Sequence, residues 1–324
     1  MSKRYAPVIV AAALACSFTG HAQQNYPVRP VRVLVNVQPG GAADFIARVM
    51  AQKLGETFNQ NFVVDNRTGG GGIVAVVHVA KATPDGYTAL LASVGTHGIR
   101  PHMYTKLPFD PVMDFAPVGL YASMPLIMVV NAQLPVKSVA DLIALAQAKP
   151  GGISFASGGT GGAPHLVGEL FKIVTGARIE HIPYKGSAPA AADLAGGQVQ
   201  MAFDAIAPQL PHLKSGRTRV LAVTTPARLP IAPDAPTMIE LGYPQVTGSV
   251  WYGLVVPAGT PKTVIARLNA ESNRILATQE VKDRMAGVGI DAAGGGTPEE
   301  FGIFIREEIA KWGPVVKAAG IIPE

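Results

Sequence analysis

Four apolar runs in this chain stop at glycine-rich loops, and that punctuation limits the folds open to it. Val31 to Val37 is β-branched and largely apolar, the pattern of a buried strand. Gln38-Pro39-Gly40-Gly41-Ala42 breaks it, and Asp44 opens a helical run from Phe45 to Thr57. Asn61 to Asp65 repeats the strand, Arg67-Thr68-Gly69-Gly70-Gly71-Gly72 the loop, and Ile73 to Ala82 the helix. Pro84-Asp85-Gly86 turns the chain into a third strand, Tyr87 to Ser93. Strands alternating with helices predict a mostly parallel sheet covered on both faces, an α/β architecture.

A second series comes after the extended stretch Pro125 to Asn131. A helix over Val139 to Ala148, with Ser138 as N-cap, stops at Pro150-Gly151-Gly152. Ile153 to Ala156 is a strand feeding Ser157-Gly158-Gly159-Thr160-Gly161-Gly162, and Pro164 to Thr175 is the next helix. Arg178 to Pro183, Met201 to Phe203 and Arg219 to Thr224 read as strands, and Ala188 to Ala195 as a helix. Trp251 to Val256 is a strand leaving this region, and helices are expected at 262–277, 279–287 and 298–318. The pattern predicts two α/β lobes, with the helical tail on the first. Residues 26–124 plus 250–324 form lobe 1, and 125–249 lobe 2.

Catalytic signatures are mostly missing. There is no G-x-x-x-x-G-K-[ST], no G-x-G-x-x-G after the first strand, and no H-E-x-x-H. No cofactor and no metal are expected. Ser157 lacks a G-x-S-x-G elbow, although Ser157, His165 and Asp204 are the residue types of a triad, so a secreted serine hydrolase is the rival reading.

The glycine loops carry the more specific chemistry. Before a helix they present free backbone N–H groups backed by the helix dipole, and the missing side chains let an anion approach. The bland alternative is an ordinary βα turn. The loops at 38–44, 66–72, 93–98 and 157–162 all follow strand ends, where α/β sheets bind ligands. The candidate contacts are Gly40, Gly41, Ala42, Ala43 and Asp44 from the first loop, Ser93, Thr96 and His97 from the third, and Ser157, Gly158, Gly159, Thr160, His165 and Asp204 from the second series. Asp44 can bind a ligand amine or cap its helix. His97 can donate to a carboxylate or sit on a surface loop. His165 can line the cleft or pack beneath it, and Asp204 can face the cleft or form a turn. Tyr184 and Lys185 face cleft or solvent, and Trp251 reads as core or hinge packing.

The N-terminus has the layout of a secretory signal over residues 1–22. Lys3 and Arg4 precede the apolar run Ala6 to Cys16, and Gly20-His21-Ala22 offers small residues before Gln23. Acylation at Cys16 is the minor alternative, since Ala13 stands where a lipobox wants Leu. Cleavage removes the single cysteine and lowers the formal charge from +5 to about +3, through the loss of Lys3 and Arg4. No Lys/Arg cluster points to nucleic acid, and no later segment approaches the roughly 18 apolar residues a transmembrane helix needs.

A set of short motifs carries a family resemblance. In order they are Tyr26-Pro27-Val28-Arg29-Pro30-Val31-Arg32, Pro39-Gly40-Gly41 with Asp44, Asp65-Asn66-Arg67-Thr68-Gly69, and Ala82-Thr83-Pro84-Asp85-Gly86-Tyr87-Thr88. Asp114-Phe115-Ala116-Pro117-Val118, His181-Ile182-Pro183-Tyr184-Lys185-Gly186 and Asp193-Leu194-Ala195-Gly196-Gly197-Gln198 continue the set. It closes with Leu221-Ala222-Val223-Thr224, the stretch 235–242, Trp251 to Pro261, and Gly296-Thr297-Pro298-Glu299-Glu300-Phe301. In number and order these resemble the Bug family, the extracytoplasmic receptors of tripartite tricarboxylate transporters. The resemblance implies a type II periplasmic-binding-protein-like fold joined by two crossing strands, in a periplasmic monomer. It implies a small carboxylate or amino-acid ligand, held by backbone amides of the 39–44 and 157–162 loops and passed to integral membrane transporter subunits. A sensor for a membrane signalling partner would look the same. Gln38 departs from the aromatic or proline usual before Pro-Gly-Gly. Bulky side chains at Gly41 or Gly158 are expected to block binding without unfolding the protein.

Overall fold

The computed structural model describes residues 26–149 and 151–321; the expected signal segment 1–22, with Cys16, lies outside them. Strands β1 (Val31–Val35), β2 (Phe62–Asn66) and β3 (Thr88–Ser93) run parallel in the order β2-β1-β3. Helix α1 (Ala42–Phe58) joins β1 to β2, and α2 (Ile73–Ala80) joins β2 to β3. Side chains alternate across a strand, and β1 divides accordingly. Val33 and Val35 pack with Ile46, Met50 and Leu54 of α1. Leu34 packs on the other face with Ala75, Val76 and Val79 of α2.

Strand β4 (Phe115–Asn131) serves both halves of the molecule. Its first part, Phe115 to Pro125, pairs antiparallel with β9 (Ser249–Pro257), which in turn pairs with β3. From Leu126 onward it pairs with β7 (Met201–Ala205) and β8 (Thr218–Val223) instead. The expected strand began only at Pro125. Pro117, Gly119 and two register shifts, at Pro117/Gly119 and Leu120/Ala122, hide the earlier part from any alternation pattern.

The second half repeats the plan of the first. β5 (Ser154–Ser157) lies parallel between β6 (Glu180–Pro183) and β7. α3 (Val139–Ala148) precedes β5, with Ser138 and Asp141 forming a capping box. α4 (Ala163–Thr175) packs Leu166, Val167 and Phe171 against Phe155 and Phe203. α5 (Ser187–Gly196) packs Ala190 and Leu194 on the opposite face, against Ala156 and Ala202. α6 (Ile206–Lys214) comes after β7 and was not expected, because Pro208 and Pro211 break its periodicity.

The tail comprises α7 (Lys262–Leu276), α8 (Gln279–Ala286), the short β10 (Asp291–Ala292), which pairs with β4, and α9 (Pro298–Ala318). α7 packs on α1. α9 lies along β4 and also reaches α4, so the tail touches both halves. At that contact Trp251 of β9 and Trp312 of α9 are fully buried and donate their indole N–H groups to one Glu308 oxygen, at 2.9 and 3.0 Å. Trp251 is core at the crossing between the halves.

Candidate functional site

The strand order places two crevices. In β2-β1-β3 the helices α1 and α2 leave on opposite faces, so a crevice opens between the loops that follow β1 and β3. In β6-β5-β7 the same holds for α4 and α5, which opens a second crevice between the loops after β5 and β7. The halves meet beside both. A Cβ on Gly161 would lie 2.5 Å from Met103 Cε, and one on Gly289 would lie 3.0 Å from Ala207 Cβ. The seam between the halves therefore runs past both crevices.

The helix starts at these strand ends share a property. α1, α2, α4 and α5 have Gly41, Gly72, Gly162 and Gly186 as N-caps and α6 has Ala205; none has a side-chain cap. Of the helices that start elsewhere, α3 and α9 have full capping boxes from Ser138 and Thr297. α7 and α8 also lack side-chain caps but start at Pro261 and Thr278 rather than glycine, and the turn after β3 is capped by Ser93. Uncapped N-termini leave backbone donors and a positive dipole end available to an anion.

The first loop is held from behind. Gln38 to Gly41 is exposed, while Asp44 is buried. Asp44 Oδ2 accepts from the Gly40 N–H at 3.0 Å and from Arg48 Nε at 2.9 Å, and Oδ1 accepts from Asn66 Nδ2 at 3.0 Å. The Arg48 hydrogen bond, outweighing burial, holds its pKa down at about 2. Asp44 thus does not cap α1; it anchors the loop through Gly40, Arg48 and Asn66. Arg48 lies four residues on, a spacing legible in the sequence, whereas Asn66 arrives only through β1–β2 pairing.

The second loop is anchored differently. Ser157 Oγ donates to the Gly159 carbonyl at 3.0 Å, accepts from the Gly159 N–H at 3.3 Å, and lies 2.7 Å from His181 Nε2. His165 Nδ1 accepts from the Gly161 N–H at 3.0 Å, and its ring stacks on His181 with centroids 3.8 Å apart. Burial pushes the pKa of both histidines down to about 4. With Met103, Thr160 and Glu169 they line a side cavity of about 630 Å³.

Asp204, at the end of β7, accepts from Ser187 Oγ and the Ala205 N–H on Oδ1 and from Gln209 Nε2 on Oδ2, each at 2.9 Å. Burial raises its pKa to about 6. The trio Ser157, His165 and Asp204 is therefore not assembled as a triad: the serine meets His181, and the aspartate is spent on Ser187 and Gln209. Ser187 and Gln209 lie in no motif that would have singled them out, and His181 is marked only as the first residue of the motif His181 to Gly186.

The third loop corrects another expectation. Val94–Ile99 is a π-helical turn capped by Ser93 and Thr96 in a reciprocal box. His97 is fully buried, with Nδ1 2.9 Å from Thr96 Oγ1 and its ring 4.9 Å from that of Phe115. It is not a surface histidine, because its flanking glycines pack under α9 rather than opening to solvent: Gly98 lies against Trp312 and Glu308, and His97 Nε2 is buried without a hydrogen-bond partner. Arg100, three residues on, keeps one buried guanidinium nitrogen without a hydrogen-bond partner.

Burial lowers the pKa of His97 to about 3, so its folded form binds a proton less readily than the unfolded chain. Its contribution to stability is complete above about pH 6.5 and is lost as pH falls toward 3. His165 and His181 act in the same direction, and Asp204, raised, in the opposite one between its ordinary value and about 6. His97→Phe is expected to flatten the fall in Tm between pH 6.5 and 4. Melting curves across that range check it, and an unchanged slope would exclude His97 as a source of acid lability.

A family model described as "Tripartite tricarboxylate transporter family receptor" matches residues 46–321. Protein BugT of Bordetella pertussis is 38% identical over 297 residues, covering 91% of each chain. A UPF0065 protein from the tcbD-tcbE intergenic region of Pseudomonas sp. strain P51 is 38% identical over 288 residues, 89% of this chain and 85% of that one. Among solved structures, R. palustris Rpa4515 with adipate is 38% identical, with a TM-score of 0.78 over 92% of this chain and 100% of that one. MatC from Rhodopseudomonas palustris with bound malate is 31% identical, with a TM-score of 0.74 over 90% and 100%.

Proposed function

We propose a function from one premise: the chain belongs to the tripartite tricarboxylate transporter receptor family. It acts as a periplasmic solute-binding receptor that encloses a small carboxylate and presents it to membrane transporter subunits. Residues 26–124 with 250–324, and 125–249, are its two lobes, and the segment 1–22 directs its export as a monomer. The observation that carries this reading is the set of uncapped, glycine-started helices around the two crevices. One carboxylate group meets the amides of Gly41, Ala42 and Ala43; the other meets the loop from Gly158 to Gly162. Two similar structures hold adipate and malate, both dicarboxylates. Contacts from both lobes give the closed form the higher affinity, which is what drives closure.

A thermal-shift series tests this with adipate, malate, other dicarboxylates, monocarboxylates and neutral sugars. At about a hundred times its Kd a dicarboxylate adds roughly 2.7 kcal/mol and raises Tm visibly. Sugars are expected to leave Tm unmoved. If no acid shifts the transition, even after unfolding and refolding to strip carried ligand, the receptor reading fails.

A further inference from the structure

We infer that His165, held against His181, is a positioning residue for the 157–162 loop, and that its protonation frees the loop and releases the ligand. The release step rests on the receptor reading, whereas the positioning rests on the loop itself. Gly161 is the point of leverage. It adopts a left-handed φ of 76°, and a Cβ there would lie 2.5 Å from Met103 Cε of the other half. Whatever fixes Gly161 therefore fixes both the loop beside the crevice and its contact across the seam.

The Gly161 N–H donates to His165 Nδ1 at 3.0 Å. A ring nitrogen that accepts carries no proton, so the single proton of the neutral imidazole sits on Nε2. That atom lies 3.8 Å from Glu169 Oε1. A second proton has one place to go, Nδ1, where it meets the Gly161 N–H donor to donor and the tie is lost. The ring has little freedom to turn and keep it. It stacks on His181 with centroids 3.8 Å apart, and His181 Nε2 is in turn 2.7 Å from Ser157 Oγ.

The surroundings favour the neutral ring. His165 is 5% exposed, and both Lys172 on its own helix and a protonated His181 on β6 oppose a charge on it. Glu169 is the one acid among the residues lining the cavity, and Lys172 Nζ reaches both of its oxygens, at 2.9 and 2.8 Å. Across the cavity the first half contributes Tyr104 and the tail Ala319, Gly320 and Ile321, none of them an acid or a cation. Burial, followed by these cations, lowers the pKa of His165 to about 4. The tie is therefore complete above its ordinary value of 6.5 and is lost as pH falls toward 4.

One readout needs no ligand. In the isotope-labelled protein, NMR at pH 7 is expected to place the His165 proton on Nε2. The Gly161 amide is expected to shift and to exchange faster as that ring titrates. His165→Asn keeps an acceptor where Nδ1 stood but has nothing to protonate, and is expected to bind adipate and malate at pH 7 as the wild type does. Between pH 7 and 5 the wild type is expected to lose about ten-fold more affinity than this variant, the titration of the acids themselves being common to both. His165→Leu, which offers no acceptor, is expected to lose about ten-fold in affinity at pH 7 with its fold intact. A Gly161 amide indifferent to the titration of His165 would overturn the inference whether or not a dicarboxylate binds. Equal pH slopes in the wild type and His165→Asn would overturn the release step and leave the receptor reading standing. Binding of neither acid to either protein would overturn the release step together with that reading.

Discussion

Gly41→Leu is expected to cost at least a hundred-fold in dicarboxylate affinity while the protein stays folded. Gly41 has a φ of −88° and an extended ψ, a conformation any residue adopts. A Cβ built there meets nothing within 4 Å, so the new side chain projects into open space in front of the α1 amides. The cost to folding is that of a poor N-cap, about 1 kcal/mol. Titration of the ligand and a melting curve together check this: undiminished affinity in a folded variant would move the site elsewhere. Gly158, which from sequence looked equivalent, is not a clean test. A Cβ there would lie 3.0 Å from both the backbone nitrogen and the hydroxyl of Ser187, so a side chain displaces the loop it is meant to probe.

Glu308→Ala is expected to be the most destabilising change at the contact between the halves. One oxygen of this buried carboxylate accepts from two indoles, and the other faces Lys311 Nζ at 3.3 Å. Alanine leaves both indole N–H groups desolvated and unpaired, and opens a cavity between β9 and α9. A loss of about 3 kcal/mol or more is expected from the two orphaned donors alone, while Glu308→Gln, which keeps a carbonyl acceptor, costs less. Urea midpoints of the two variants measure the difference. An alanine variant that unfolds with the wild type would show that the indoles find other acceptors.

Much of the fold is legible because the chain marks its own joints. Val31 to Val35 is β-branched, Gly40 and Gly41 cannot be mistaken for strand, and the apolar spacing of α1 begins at once. Where the joints are disguised, reading fails. The first part of β4 contains Pro117, Gly119 and Ser123, and only pairing with β9 shows it to be one strand with Leu126 to Asn131. α6 carries two prolines and is held in place by packing rather than by its own periodicity.

The site divides along the same line. That the loops after β1 and β5 present amides is readable from glycine and position. Which side chains are left over for a ligand is not, because that depends on partners from other elements. Asn66 reaches Asp44 across the sheet, His181 reaches Ser157 from β6, and Gln209 reaches Asp204 from α6. His97 looked available for the same reason: a loop flanked by glycines gives no warning that α9, from the far end of the chain, will lie over it.

The pairing of Trp251 with Trp312 gives the protein an optical property of its own. These are the two tryptophans of the sequence, so all indole emission arises from one spot, where β9 crosses between the halves and α9 meets α4. Both rings are sealed from solvent, so a ligand arriving from solution cannot quench them by touch. Any change in the colour or lifetime of the emission on titration reports a rearrangement at the crossing, and the unlabelled protein becomes a fluorometer of its own closure.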